Sequence, residues 1–574
     1  MTDMVPITGG RPLLQVNNLT VDFALRNGVF RAVDDLSFSI DPGKTLCVVG
    51  ESGSGKSVTA RSILQIVDAP GRIAAGSIVL NGKDGRPVDL VSLSPRGRKI
   101  RAIRGRDIAM IFQEPMSSLS PVHTVGDQII EALRLHTRMS KAQARAEAIF
   151  LLQQVEIPSP EKAVDRYTFQ YSGGMRQRAM IAMALACKPQ LLIADEPTTA
   201  LDVTTQAEIL DLIARLQKAY GMAVLFITHD MGVVAQIADD VLVMHNGVAK
   251  EYAPVEQIFH APKDSYTRML IGSVLKLEAK AEIRLARTPL DKTAAPILEL
   301  RNVSVDFGEV KALDDISISL LPRETLGIVG ESGSGKTTMG RSIMRLIDPT
   351  AGEIVYRRAD GGMIDLATAK GQMLAMARRE LRMVFQDPFG SLNPRMTVSQ
   401  IIGEPLLVNG VASGRALDER VCHLMEQVGL DPASRERYPH AFSGGQRQRI
   451  GIARAITLNP RVIVADEATS ALDVSVRSQV LDLLMRLQDE LGLAYIFISH
   501  DIGVIRYICD RVGVMYKGRL VEVGDADKVC NTPEHAYTQA LISAIPRPDP
   551  RDRDHSRRFR YVEPGNLKNG SSVR

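Results

Sequence analysis

The chain has 574 residues, too many for one ordinary hydrophobic core, so two or more domains are expected. Its net charge of +4 is small for that length and makes no case for nucleic acid as a partner. Five scattered cysteines without C-x-x-C spacing argue against a zinc site, a cysteine-ligated cluster or a disulfide framework, and fit a reducing cytosol. No apolar run reaches the roughly 18 residues of a membrane span.

In chain order, residues 1–11 form an expected N-terminal extension without the charged and apolar regions of a signal peptide. Short alternating strands follow, including Leu14 to Phe23, and suit an antiparallel edge sheet. The apolar run Thr45-Leu46-Cys47-Val48-Val49 reads as a buried strand, with a helix expected over 56–66. Between them stands Gly50-Glu51-Ser52-Gly53-Ser54-Gly55-Lys56-Ser57, which fits G-x-x-x-x-G-K-[ST] without a mismatch. The glycines let backbone N–H groups turn around a phosphate, and the helix start adds partial positive charge. Lys56 can reach terminal phosphates and the Ser57 hydroxyl can ligate magnesium, with Val58 next along the helix.

A helix-rich insert lies between Gln113 and Ser172, with helical spacing over 125–136 and 141–155. The turn Ser172-Gly173-Gly174-Met175 opens a further helix and is a second anion-binding device of the same kind. The apolar strand 191–195 ends in Asp195-Glu196. One carboxylate can sit near a metal while the second aligns or deprotonates water, so Asp195 takes the metal role and Glu196 the water-polarising role.

The whole series then recurs. Leu298 to Phe307 repeats Leu14 to Phe23, and Gly330-Glu331-Ser332-Gly333-Ser334-Gly335-Lys336-Thr337, followed by Thr338, repeats the phosphate loop. Gln386, Ser443-Gly444-Gly445-Gln446, Asp466-Glu467 and His500 repeat Gln113, the Ser-Gly-Gly turn, Asp195-Glu196 and His229. The phosphate loops stand 280 residues apart and the Ser172, Asp195 and His229 pairs 271, so the first copy carries nine extra residues between its loop and Ser172. A period this long means duplicated domains rather than a solenoid. The expected division is 1–11, a first domain at 12–275, a charged linker at 276–296, a second domain at 297–546 and a solvated basic tail at 547–574. Two phosphate-binding surfaces per copy suggest head-to-tail pairing, with each nucleotide between the loop of one copy and the Ser-Gly-Gly of the other.

With these motifs in this order, twice, the chain resembles a tandem ATP-binding cassette ATPase. The resemblance implies an α/β fold of two P-loop NTPase domains, each a mixed sheet core with an antiparallel edge sheet and a helical subdomain. It implies ATP and Mg2+ as cofactors. Gln113 and Gln386 would sense magnesium or water and face a membrane partner. His229 and His500 would contact the γ-phosphate, and Asp202 and Asp473 would communicate across the nucleotide-bound pair. Thr337 and Asp466 would serve the second metal as Ser57 and Asp195 serve the first. Phe23 and Phe307 are the candidates for stacking on adenine, with Phe30 a rival in the first copy.

Narrower features are similar to the oligopeptide/dipeptide importers. These are the loops from Phe112 to Pro121 and from Phe385 to Pro394, and Pro533-Glu534-His535-Ala536-Tyr537-Thr538 with its echo at Pro262 to Thr267. That likeness implies two membrane permease subunits and a periplasmic or extracellular solute-binding protein as partners, at the cytoplasmic face of the membrane. Met175 for glutamine and Ala468 for proline depart from the commoner pattern without removing a charged group. The alternatives are a soluble tandem cassette ATPase acting on ribosomes or DNA, and a sugar importer ATPase.

Overall fold

The computed structural model describes residues 11–26, 28–82, 86–113, 118–199, 201–278, 290–387, 390–470, 472–553, 558–559 and 561. Ala200 and Ala471 of the two Ala-Leu-Asp motifs, most of the linker and the end of the tail lie outside these residues. The chain divides into two compact units, residues 1–272 with 546–554, and residues 273–545 with 555–574.

In the first unit, six strands run in the order Val248–Pro254, Asp240–His245, Thr45–Val49, Ala223–Ile227, Leu191–Asp195, Ile108–Ile111. All neighbours pair in parallel except the edge hairpin of Asp240–His245 with Val248–Pro254. Thr45–Val49, Leu191–Asp195 and Ala223–Ile227 are buried at every position. Parallel strands covered on both faces need unbroken apolar runs, which is why these segments carry no alternation. Gly28–Ile40, Leu14–Leu25, Gly71–Asn81 and Pro87–Asp89 form a separate antiparallel sheet in that order.

The second unit repeats this plan. Its six-stranded sheet runs Leu381–Val384, Val462–Asp466, Ala494–Ile498, Thr325–Val329, Arg511–Tyr516, Arg519–Asp525, beside a four-stranded antiparallel sheet. Part of the length difference between the copies sits in one strand, Gly71–Asn81 against Ala351–Arg357. In each copy the phosphate-loop strand is central, so its loop opens at the carboxyl end of the parallel sheet, where α/β folds bind ligands.

The helical inserts are Val125–His136, Lys141–Gln154 and Gly173–Ala184 in one copy, and Val398–Val408, Gly414–Gln427 and Gly444–Ile456 in the other. Thr124, Ser140, Ser172, Thr397 and Ser443 cap five of these helices through their side-chain oxygens. The helix after the first phosphate loop ends at Ile63, short of the expected Ile66, because Gln65 turns to a left-handed φ of 49°.

The tail departs from the solvated end expected of it. Arg553 Nε and NH2 donate to the carbonyls of Ala235 and Ala238 at 2.9 and 2.6 Å, satisfying acceptors at the end of helix Met231–Ile237. Tyr561 lies edge-on to Tyr516 and Tyr537, at 5.3 and 5.6 Å between ring centres. Charged residues without apolar period read as solvated from sequence, but here arginine supplies donors to a helix end and tyrosine a ring to an aromatic cluster. Among the described residues no helix is long and apolar enough to cross a membrane.

Candidate functional site

Gly50 and Gly55 make the first phosphate loop sterically. A Cβ on Gly50 would sit 2.1 Å from the Met244 carbonyl oxygen, and one on Gly55 would sit 2.5 Å from that of Ala32, with φ of +151° and +94°. Gly330 and Gly335 meet Met515 and Ala312 in the same way, at 2.2 and 2.5 Å. No larger residue keeps these turns. Lys56 is 6 % exposed and donates to the carbonyls of Gly50 and Glu51 at 2.8 Å each. Lys336 does the same with Gly330 and Glu331, at 2.8 and 2.7 Å. The ammonium is thus stored against its own loop, within the space a phosphate would share.

Four strands and the loops after them bring the remaining groups together. Ser57 Oγ donates to Asp195 Oδ1 at 2.9 Å, and Thr337 Oγ1 to Asp466 Oδ1 at 3.1 Å. Gln113 Nε2 donates to Glu196 Oε2, and Gln386 Nε2 to Glu467 Oε2, both at 2.8 Å. His229 Nδ1 stands 3.4 Å from Glu196 Oε1, and His500 Nδ1 3.2 Å from Glu467 Oε1. Within each unit, the hydroxyl, aspartate, glutamate, glutamine and histidine expected from the sequence therefore converge around one loop.

Both glutamates adopt φ of +47°, a left-handed conformation that costs a non-glycine residue about 1–3 kcal/mol. The Glu196 N–H donates to the Ile227 carbonyl at 3.0 Å and that of Glu467 to Ile498 at 2.9 Å. These bonds to the neighbouring strand end hold each turn, and the turn aims the carboxylate at the histidine.

The two acids of each pair are driven apart. Burial pushes the Asp195 carboxyl above the usual aspartate range, against the Ser57 hydrogen bond and with help from the charge on Glu196. Asp466 is raised for the same reasons. Burial also works to raise Glu196, but the His229 hydrogen bond and charge, Thr199 and Lys56 outweigh it and bring it down to about 2. Glu467 is lowered through His500, Lys336 and Gln386 in the same contest. Neighbouring carboxyls with opposed shifts can hold different roles. Asp195 and Asp466, each with a hydroxyl beside it, fit a magnesium ion that takes few protein ligands and completes its shell with phosphate and water.

At the Ser-Gly-Gly turns, Ser172 and Ser443 are N-caps that accept the N–H of Met175 and Gln446, each at 3.3 Å. Only Gln446 returns a bond, its Oε1 accepting the Ser443 N–H at 3.0 Å. The second glycines are packed: a Cβ on Gly174 or Gly445 would meet Thr205 Cγ2 at 2.9 Å or Val476 Cγ1 at 2.3 Å. The first glycines are not. Gly173 has nothing within 4 Å of that position, and Gly444 only Leu472 at 3.9 Å.

The sequence matches the ABC transporter family over residues 33–199 and 313–470, and the oligopeptide/dipeptide transporter C-terminal region over 250–297 and 521–570. Relatives that align over 94 % of this chain and 90 % of their own length include the glutathione import ATP-binding proteins of Pectobacterium atrosepticum and Shigella flexneri, each 48 % identical. That of Salmonella choleraesuis is 49 % identical over the same shares. The chain belongs to the ABC transporter family.

It is a tandem ABC cassette ATPase of an importer and carries two intact sets of the family's motifs. These relatives are import ATP-binding proteins, none of them ribosome-acting, DNA-acting or sugar-importing by name. Within this ABC ATPase the two adenine candidates differ. The Phe307 ring is 53 % exposed, whereas Phe23 is partly buried against Gly71, where a Cβ would lie 2.6 Å from its ring. Phe30, paired across the sheet from Phe23, is 54 % exposed and is the more accessible of the two candidates in the first copy. Phe23 packs over Gly71 and presents less of its ring than Phe30 does.

Asp202 caps the helix Val203–Tyr220 by accepting the Thr205 N–H at 2.8 Å, and Asp473 stands at the matching helix start. Three contacts in this site had no sequence signal. Thr199 Oγ1 donates to Glu196 Oε2 at 2.9 Å, while the hydroxyls of Tyr266 and Tyr537 accept the N–H groups of Glu51 and Glu331 at 3.3 and 3.1 Å. The tyrosines stand in the repeated segment that resembles the peptide-importer branch, but a hydroxyl's reach to a distant amide leaves no trace in sequence.

Proposed function

We propose that this chain hydrolyses MgATP at two sites to drive import of glutathione or short peptides through two membrane permease subunits. A periplasmic or extracellular solute-binding protein delivers the cargo, and the chain lies peripherally at the cytoplasmic face of the membrane. The observation that carries the reading is the twofold constellation of Lys56, Ser57, Asp195, Glu196, Gln113 and His229 with Lys336, Thr337, Asp466, Glu467, Gln386 and His500. The glutathione import proteins among its relatives supply the cargo class.

Mg2+ bound at Ser57 with Asp195 and at Thr337 with Asp466 would neutralise phosphate charge. Lys56 and Lys336 exchange loop carbonyls for phosphate oxygens. Glu196 and Glu467, ionised at neutral pH, orient water and accept its proton, with His229 and His500 beside them to meet the γ-phosphate. Phe30 and Phe307 stack on adenine. The open first glycines, Gly444 and Gly173, leave each Ser-Gly-Gly helix start room for an anion. The permeases, meeting the chain near Gln113 and Gln386, convert the loss of the γ-phosphate into alternating access.

Reconstitution with two membrane permease subunits of the same organism tests the reading. ATPase activity in proteoliposomes should rise when the cognate binding protein is loaded with glutathione or dipeptides. Co-sedimentation with ribosomes, and no complex with any permease, would overturn it.

A further inference from the structure

Beyond the last parallel strand, each copy carries a chain of hydrogen bonds that leads back to its own phosphate loop. In the first copy, Glu251 is 8 % exposed and accepts the N–H groups of Lys263 and Asp264 at 2.9 and 3.1 Å. Asp264 Oδ1 accepts the Tyr266 N–H at 2.8 Å, and the Tyr266 hydroxyl accepts the Glu51 N–H at 3.3 Å. In the second copy, Glu522 accepts the N–H groups of Glu534 and His535 at 2.9 and 3.1 Å. His535 Nδ1 accepts the Tyr537 N–H at 3.1 Å, and the Tyr537 hydroxyl accepts the Glu331 N–H at 3.1 Å. His245 and Tyr516 pack on the two tyrosine rings with centres 4.2 and 4.4 Å apart. The intermediate residues differ, Asp264 against His535 and Lys263 against Glu534, yet each bond has its counterpart. Ring packing alone asks for no hydroxyl at the loop, so the repeat of that one contact on changed surroundings points to the hydroxyl itself.

The peptide unit between Gly50 and Glu51 is gripped from both sides, its carbonyl by Lys56 and its N–H by Tyr266. Lys336 and Tyr537 grip the peptide unit of Gly330 and Glu331 likewise. A lysine that turns to phosphate gives up carbonyl contacts, whereas the tyrosine bond need not break. We propose that Tyr266 and Tyr537 are positioning residues through which the C-terminal region of each copy fixes the start of its phosphate loop for nucleotide. This rests on the loops being ATP sites. It makes the peptide-transporter C-terminal region part of the nucleotide site rather than an appendage.

Equilibrium titration of the full chain with a fluorescent ATP analogue, together with steady-state hydrolysis, tests the assignment. Tyr266→Phe with Tyr537→Phe keeps both rings and removes both hydroxyls. The dissociation constant and KM should rise about three- to tenfold, the worth of one hydrogen bond, with kcat within about twofold, since the hydrogen bonds lost touch no reacting atom. Glu251→Gln with Glu522→Gln weakens the anchor of the same chain and should raise both constants without adding to the tyrosine effect. Unchanged affinity, or effects of the two pairs that simply add, would overturn the proposal, as would a lowered Tm with KM unmoved. Should the tyrosine variant not fold, the glutamate pair carries the test alone, a raised KM supporting the proposal and an unchanged one overturning it. A wild-type chain that binds no nucleotide would instead sink the ATPase reading.

Discussion

Gln113 donates its amide hydrogen to Glu196 at 2.8 Å, and Glu196 also stands 3.4 Å from His229, so one carboxylate holds a glutamine and a histidine at once. The Gln386, Glu467 and His500 trio repeats the arrangement. A general base removed from such a site costs about 100- to 10,000-fold in rate. Phosphate release at saturating ATP should therefore fall at least about 100-fold in the Glu196→Gln/Glu467→Gln chain, and measurably in each single variant. Full activity in both singles would remove the glutamates from the water-activating role.

The phosphate-loop lysines should act on binding. Lys56→Ala with Lys336→Ala removes charge-assisted contacts worth about 1.5–3 kcal/mol each to a ligand phosphate, and should weaken ATP binding about 10- to 150-fold. Isothermal titration with MgATP reads this directly. Because the loops owe their shape to Gly50, Gly55, Gly330 and Gly335 as well, the fold should survive.

Much of this was legible in the sequence. The strand Thr45–Val49 and the helix Val125–His136 have the expected ends, because buried parallel strands and amphipathic helices write their period into the chain. The glutamates and histidines were legible because duplication prints each motif twice. What escaped was tertiary. Tyr266 reaches an amide 215 residues away, and Phe23 packs close because Gly71 lacks a side chain. Arg553 reads as a solvated charge until helix-end carbonyls come within its reach. Each depends on a neighbour that no local pattern names.

The glutamate–histidine pairs set a pH dependence with two signs. Glu196 falls from 4.5 to about 2 on folding, so its stabilisation is complete above the unfolded value and is lost as pH drops from about 4.5 towards 2. His500 is raised above 6.5, since burial lowers it less than Glu467 raises it. Its contribution is complete below pH 6.5 and is lost as pH climbs through the folded value. Tm measured across pH should show an acid limb blunted by Glu196→Gln and a decline above pH 6.5 blunted by His500→Gln. Equal pH slopes in wild type and both variants would contradict the pairings.

The two glycines of each Ser-Gly-Gly turn should separate stability from function. Gly445→Ala drives a Cβ to 2.3 Å from Val476 Cγ1 and should destabilise by about 1–3 kcal/mol, read as a lowered urea midpoint. Gly444→Asp meets no such wall, and an acid in the first turn of a helix is favoured by about 0.3–1 kcal/mol, so the midpoint should hold or rise. The same carboxylate would repel a triphosphate brought against the turn. Hydrolysis in Gly444→Asp should therefore fall at least about tenfold while the fold gains, an opposition that a purely structural turn cannot produce. A Gly444→Asp chain with wild-type turnover would show that no phosphate approaches this helix start.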